Sequence, residues 1–331
     1  MKTLNCGIRW VISGTPVYNS IKDFVALCGF VGISKERVQA MSNQIRETYV
    51  LRRTKQDVAK FNQRLELPPC DFENTELEMY PEEKELYKQV YEQSQEKIRH
   101  LFATAENVGM HAMHILECFL RTRQAMIYPQ LYIDGMAKKV DEDPELWDKP
   151  SKKMETLFEM IETHPNEKSL VFCQFMGEMD YIQEQLVDKG LEVFRIDGSV
   201  EQSERVARLK NFKLSKRGAI FVIQIKAGGQ GLNIQEATRV YITAPSWNPA
   251  TELQAISRSH RTGQTSKVYV RKLVYKGTEE LPSIEESMMA LQRHKAIVCA
   301  EVLNDPRIAE QLPEAGSAGV TIRDVKKIFH V

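Results

Sequence analysis

Apolar positions along this chain follow two rhythms, and from Ser151 onward the two alternate regularly. Short apolar runs at Leu170–Cys173, Val193–Ile196, Ala219–Ile225, Val240–Thr243 and Val268–Val274 predict buried strands. Positions three or four apart mark helices between them. Met154, Leu157 and Ile161 precede the first strand, Met179, Ile182 and Leu186 the second, and Val206, Leu209 and Phe212 the third. Strands separated by helices of this length predict a parallel sheet with right-handed crossovers and ligands beyond the strands' carboxyl ends. The fold class is α/β.

Ahead of Ser151 the pattern is helical. Pro81 to about Ala105 reads as one helix, with Glu82, Glu83 and Glu85 in its first turn, and Ile115–Ile127 as another ending near Pro129. The polar stretch Asp134–Pro150 is the linker candidate. Pro249 is placed to open a helix carrying Arg258, His260 and Arg261 at its far end, which Gly263 terminates. Gly277–Glu280 opens a helix with Gln292 and Lys295 near its end. Residues 304–320 read as loop, and Thr321–Val331 as a short final helix or a disordered end.

Composition changes this picture little. The chain has 331 residues, 42% hydrophobic and 27% charged, with a formal net charge of zero. That describes an ordinary two-domain globular protein, and by itself offers no argument for nucleic acid. The distribution is more informative. Residues 201–280 hold 14 Lys/Arg against 6 Asp/Glu, while residues 71–106 hold 4 against 10. Positive charge therefore gathers around the candidate chemistry, as a phosphate-facing surface requires, although two oppositely charged solvated faces give the same counts. Six scattered cysteines lack metal-site spacing and argue against a disulfide framework. With no run of 18 apolar residues and no leader pattern, an intracellular protein without membrane contact is expected, nuclear if its source is eukaryotic.

The candidate chemistry lies in Lys226–Gln264. Gly228, Gly229 and Gly231 follow a strand, where backbone can approach an anion closely. Arg258 and Arg261 lie three residues apart, which on a helix puts them on nearly one face. Each offers a permanently charged fork of donors suited to phosphate oxygens. A glycine loop, a buried strand and paired arginines together suggest a phosphate-facing wall; a turn cluster followed by a solvated basic helix is the plainer alternative.

Three blocks in this order, Ala227-Gly228-Gly229-x-Gly231-Leu232-Asn233, Trp247-Asn248-Pro249 and Gln254-x-x-x-Arg258-x-His260-Arg261-x-Gly263-Gln264, resemble the last motifs of Swi/Snf-type ATPases. These are helicase-like, DNA-translocating motors of superfamily two. Ser13-Gly14-Thr15-Pro16 is similar to that family's third motif and Gln174-Phe175 to its fourth. Leu120-Arg121-x-Arg123-Gln124 resembles its helical protrusion, and Leu51–Lys55 with Leu67–Pro69 the segment closing the first lobe.

The resemblance implies RecA-like architecture: a first-lobe remnant at 1–70, a helical protrusion and linker at 71–150, a complete second lobe at 151–300 and an extension at 301–331. It implies ATP and magnesium between lobes. Arg258 and Arg261 would act as arginine fingers, with Gly228, Gly229, Gly231 and Gln264 on the nucleotide side. Gln174, Ser199, Lys226, Trp247 and Asn248 would face double-stranded DNA, and Ser13, Gly14 and Thr15 would couple the two.

The sequence departs from the family pattern in several places. It contains no G-x-x-x-x-G-K-[ST] loop and no D-E-x-H box, so the main ligands of nucleotide and magnesium are missing. The chain alone is therefore expected not to hydrolyse ATP, and a separate first-lobe polypeptide or a longer parent protein would supply them. Ala244 stands where an aspartate is usual, and Ser257 where acids are frequent. Two readings stay open: part of a DNA-stimulated ATPase, or a non-catalytic DNA- or protein-binding module. An RNA helicase fits the R-x-H-R-x-G-Q ending less well.

Overall fold

The computed structural model describes residues 6–13, 21–53, 55–62, 66–104, 111–215, 218–227, 232–303 and 322–331. By internal packing the chain divides into two compact units. One comprises Met1–Glu66, Trp247–Ala250 and Met289–Gly319; the other comprises Leu67–Ser246, Thr251–Met288 and Val320–Val331.

The first unit opens with short helices: α1 (Ile21–Phe30), α2 (Lys35–Ala40), α3 (Ser42–Tyr49) and α4 (Lys55–Phe61). Phe24, Cys28, Ile33, Val38 and Ile45 form its core, and Ser34 caps α2 by accepting the Arg37 N–H. The segment before α1 exposes Ile8, Trp10 and Ile12.

The second unit is built on a six-stranded, all-parallel sheet: β1 (Cys70–Leu77), β2 (Ser169–Cys173), β3 (Val193–Ile196), β4 (Ile220–Gln224), β5 (Arg239–Ile242) and β6 (Val268–Tyr275). Their order is β1-β6-β5-β2-β4-β3. The helices are α5 (Pro81–Thr104), α6 (Ala112–Ile127), α7 (Pro129–Val140), α8 (Lys152–Glu162), α9 (Met176–Asp188), α10 (Gln202–Leu214), α11 (Pro249–Ile256), α12 (Ile284–Leu303) and α13 (Ile322–Ile328); the smaller unit holds the start of α11 and the end of α12. The central strands β2, β4 and β5 read as apolar runs because they are buried within the sheet. Leu170, Phe172, Phe221, Ile223, Val240 and Ile242 are fully buried there. Among the described residues no helix is long and apolar enough to cross a membrane.

Four expectations change. Cys70–Leu77, expected to belong to a helical region, is an edge strand in register with Val268–Tyr275. Its acids explain the placement. Asp71 pairs with Lys267, Glu73 with Arg271 and Glu76 with Lys276 across the β1–β6 ladder. Much of the positive charge around residues 267–276 is thus neutralised by β1 and is not spare for phosphate. The helix expected to end near Pro129 does end at Ile127, but the linker expected over Asp134–Pro150 is shorter. Pro129 opens α7, where a proline costs nothing at N1, and that helix runs to Val140. That leaves 141–150 as connector. The helix expected from Gly277 begins at Ile284, where the Ser283 hydroxyl accepts the Glu286 N–H. The sequence boundaries at 70/71, 150/151 and 300/301 also differ from the packing, which groups β1, α5–α7 and α13 with the sheet.

Candidate functional site

Parallel strands bring their carboxyl ends to one edge. Gln174 follows β2, Asp197–Ser199 follow β3, Ile225–Ala227 follow β4 and Thr243–Ser246 follow β5. Hydrogen bonds join these exits. The Gln174 side-chain amide donates to the Ala244 carbonyl (3.2 Å) and to the Ser246 hydroxyl (3.1 Å). The Gly198 N–H donates to the side-chain oxygen of Gln224, at the end of β4 (3.2 Å). Lys226 is exposed just beyond. Gly228, Gly229 and Gly231 lie outside the described residues, as do Gly14 and Thr15; Ser13 is exposed.

The turn after β3 is fixed from several sides. The Asp197 carboxylate accepts the Ser199 N–H (2.9 Å), the Ser199 hydroxyl (2.5 Å) and Arg195 Nε (2.9 Å). Burial pushes the Asp197 carboxyl up, but the Ser199 and Arg195 bonds outweigh it and hold the group below the usual range. Arg205 of α10 brackets the turn, donating to the carbonyls of Asp197 (2.7 Å) and Val200 (2.8 Å). Ser199 is exposed, yet both its donors are engaged by Asp197. It can donate to a phosphate only by releasing that carboxylate.

The arginines lie beyond their expected helix. α11 stops at Ile256, and Arg258 and Arg261 belong to a tight turn. There the Arg258 N–H reaches Ala255 O and the Ser259 N–H reaches Ile256 O, three-residue spacings that wind the chain tighter than α. Competing bonds hold that geometry. The Ser259 hydroxyl donates to Ala237 O (2.5 Å), and the His260 ring pairs with Pro68 O (2.8 Å). Gly263 has φ +100, where a side chain is strained, and its open face is covered by the Gln235 amide. The Arg258 carbonyl accepts the Ile234 N–H (3.0 Å), and its guanidinium reaches Leu232 O (3.5 Å). Burial first, and then the like charge of Arg261, lower the Arg258 pKa. Two guanidiniums that repel each other attract an anion together.

Gln264, expected on the nucleotide side, is buried. Its amide donates to Gln235 O (2.9 Å), and its oxygen accepts the N–H groups of Thr265 and Ser266 (3.0 Å each). It staples the arginine turn. Trp247 and Asn248 belong to the smaller unit. Trp247 is half-buried, while Asn248 is buried and caps α11 by accepting the Ala250 N–H (2.9 Å). Asn248 therefore presents no open surface to a ligand in this conformation.

Several supporting residues escaped the sequence reading. Glu252 accepts the Ser246 N–H (2.5 Å) through one oxygen and pairs with Lys272 Nζ (3.2 Å) through the other. Glu178 accepts the N–H groups of Gln174 (2.9 Å) and Phe175 (3.1 Å), and burial raises its pKa. Arg123 donates to Pro245 O (2.9 Å) between the rings of Phe119 and Phe175. One signal was available: a lysine inside the apolar strand Val268–Tyr275 demands a buried partner. Among the described residues no group of three or more His, Cys, Asp or Glu side chains is arranged to hold a metal ion.

Residues 152–263 match the helicase conserved C-terminal domain family, and residues 1–131 match the SNF2-related domain family. A DNA repair protein RAD5 of Cryptococcus neoformans is 37% identical over 175 residues, covering 52% of this chain and 13% of its own length. RAD5B of Arabidopsis thaliana is 26% identical over 92% of this chain and 33% of its own length. The mouse helicase-like transcription factor is 25% identical over 88% of this chain and 40% of its own. The chain thus spans well under half of these curated relatives.

Among solved structures, the C-terminal part of the Fun30 ATPase domain superposes with TM-score 0.58 at 20% identity, over 80% of this chain and 98% of that one. The Sulfolobus solfataricus SWI2/SNF2 ATPase core in complex with dsDNA gives TM-score 0.56 at 23% identity, over 96% of this chain and 65% of that one. At these identities the likeness shows the fold, a RecA-like sheet.

Proposed function

We propose that this chain, which belongs to the SNF2-related family of helicase-like ATPases, is the second-lobe portion of a DNA-dependent remodelling or repair motor. In this reading it supplies an arginine pair to ATP and a DNA-facing wall at the carboxyl edge of its sheet. The observation that carries it is the tie between Arg258 and the Leu232–Ile234 segment. That tie keeps the arginine turn beside Leu232–Ile234, which follow Gly231 in the sequence.

ATP here is substrate. Arg258 and Arg261 place positive charge where the transferred phosphoryl group gains negative charge, an effect worth roughly 10³–10⁵ in rate for arginine fingers. Gln264 acts through the turn it staples. Gln174, Ser199 and Lys226 meet the DNA backbone, and such contacts are sequence-independent. Double-stranded DNA is the partner, as it is in the complex of the Sulfolobus solfataricus SWI2/SNF2 ATPase core. The G-x-x-x-x-G-K-[ST] loop comes from a separate first-lobe polypeptide or from a longer parent protein, and the setting is nuclear for a eukaryotic source. The competing reading, a DNA-binding module without turnover, draws on Ala244, whose buried methyl offers no carboxylate at the β5 exit.

Binding of fluorescent duplex DNA across a salt series tests the proposal. Affinity should fall as salt rises, with a log–log slope of about −0.9 per phosphate contact. Lys226→Ala should reduce the slope by about 1 without altering sequence preference. Binding that ignores salt would reject the DNA-facing assignment.

A further inference from the structure

We infer that a hydrogen-bonded relay, Gln174 to Ser246 to Glu252, couples DNA contact at the β2 exit to the turn that holds Arg258 and Arg261. The inference rests on the DNA-facing reading of Gln174 proposed above.

The Gln174 amide has two N–H donors, and both are engaged, by Ala244 O at 3.2 Å and by Ser246 Oγ at 3.1 Å. A phosphate oxygen that recruits this amide must displace one of them. The Ser246 acceptor is a hydroxyl on a rotatable side chain, whereas the Ala244 carbonyl belongs to buried backbone just beyond β5. Ser246 is itself 3% exposed, and its N–H donates at 2.5 Å to Glu252 in the first turn of α11. The other Glu252 oxygen is anchored on Lys272, whose side chain is 0% exposed. Glu252 cannot follow a displaced Ser246 without abandoning a buried cation, so the Ser246–Glu252 bond is the link that yields. From Glu252 the chain runs on through 257–264, where the amides of Ser257, Arg258, Ser259, His260, Arg261 and Gln264 are all hydrogen-bonded. Loosening at Ser246 is thereby passed to the arginines. Two further bonds at this edge, from Arg123 to Pro245 O and from the Gln174 N–H to Glu178, hold backbone and do not engage the Gln174 side-chain amide.

Amide hydrogen exchange of the 331-residue chain, with and without a duplex of random sequence, tests the relay. In the wild type, DNA should speed exchange within 257–264 by about 5-fold or more, the lower end of ordinary site-to-site coupling. Ser246→Ala removes the hydroxyl and adds no bulk. Its 257–264 amides should exchange faster before DNA is added and should not respond to it. The same variant should bind DNA about 2- to 10-fold tighter, because the phosphate no longer competes for Gln174; mere loss of structure would weaken binding. Ser246→Thr, which keeps the hydroxyl, should behave as wild type. DNA bound with unchanged exchange in the wild type, or an Ala variant that responds like the wild type, would overturn the relay alone. Absence of DNA binding even at low salt would overturn the DNA-facing reading and the relay with it.

Discussion

Lys153 and Glu285 form an ion pair of 2.6 Å whose side chains are 0% and 2% exposed. The Lys153 ammonium also lies 4.7 Å from the centre of the Tyr275 ring. The Tyr275 N–H donates to Glu285 (2.9 Å), and its hydroxyl accepts the Lys153 N–H (3.0 Å) and donates to Glu83 (3.0 Å). This network ties α5, α8 and α12 to the end of β6. Lys153→Met alone should cost about 3–5 kcal/mol, because it strands a buried carboxylate. The double change Lys153→Met, Glu285→Leu should recover much of that. Urea unfolding of the wild type and the two variants checks the order.

Glycine tolerance should differ between two turns. Gly218 has φ +86, and a Cβ there would sit 2.1 Å from the Pro165 carbonyl oxygen; Gly190 has φ +77 with nothing within 4 Å. Gly190→Ala should cost about 1 kcal/mol, the strain of the left-handed conformation alone. Gly218→Ala should cost clearly more, since backbone must move. Equal losses in chemical unfolding would contradict the clash.

Acid sensitivity should trace to Glu167. Its carboxylate accepts both Arg239 Nε (2.9 Å) and Nη2 (2.8 Å), and also the Thr238 hydroxyl (2.6 Å). The Arg239 bond leads in holding its pKa below 4.5. A depressed carboxylate contributes stability that is present above its unfolded pKa and lost as pH falls through the folded one. Glu167→Gln should therefore be less stable than wild type at pH 7, and the gap should close below pH 4.5. A gap that did not narrow as the pH is lowered would assign the effect to packing.

Strands β2 to β6 are legible because each contains a short apolar run, and such runs alternating with helices imply a parallel sheet with right-handed crossovers. Cys70–Leu77 is not, since an edge strand rich in Asp and Glu carries no apolar signature and is specified by cations about two hundred residues away. The motif residues are legible by position, but the bonds that each makes are not. Gln264 and Asn248 read as ligand-facing, but the tertiary structure uses their amides to satisfy backbone. Arg258 and Arg261 read as helical because nothing local announces that Ser259 and His260 bond elsewhere. Ser246 carries no signal in its neighbours, and Glu252 shows only as an acid in a helix's first turn.

ATP turnover by this chain combined with a polypeptide that carries a G-x-x-x-x-G-K-[ST] loop, in saturating duplex DNA, is the most direct test of the arginine pair. The wild-type combination should release phosphate in a DNA-stimulated manner. Arg261→Ala should lower turnover by about 10³-fold, roughly 4 kcal/mol of barrier, while ATP binding changes little. Arg258→Ala should do the same, and the double variant should lose little more, because both serve one transition state. Wild-type turnover in both single variants would contradict the account and return Arg258 and Arg261 to a solvated basic turn.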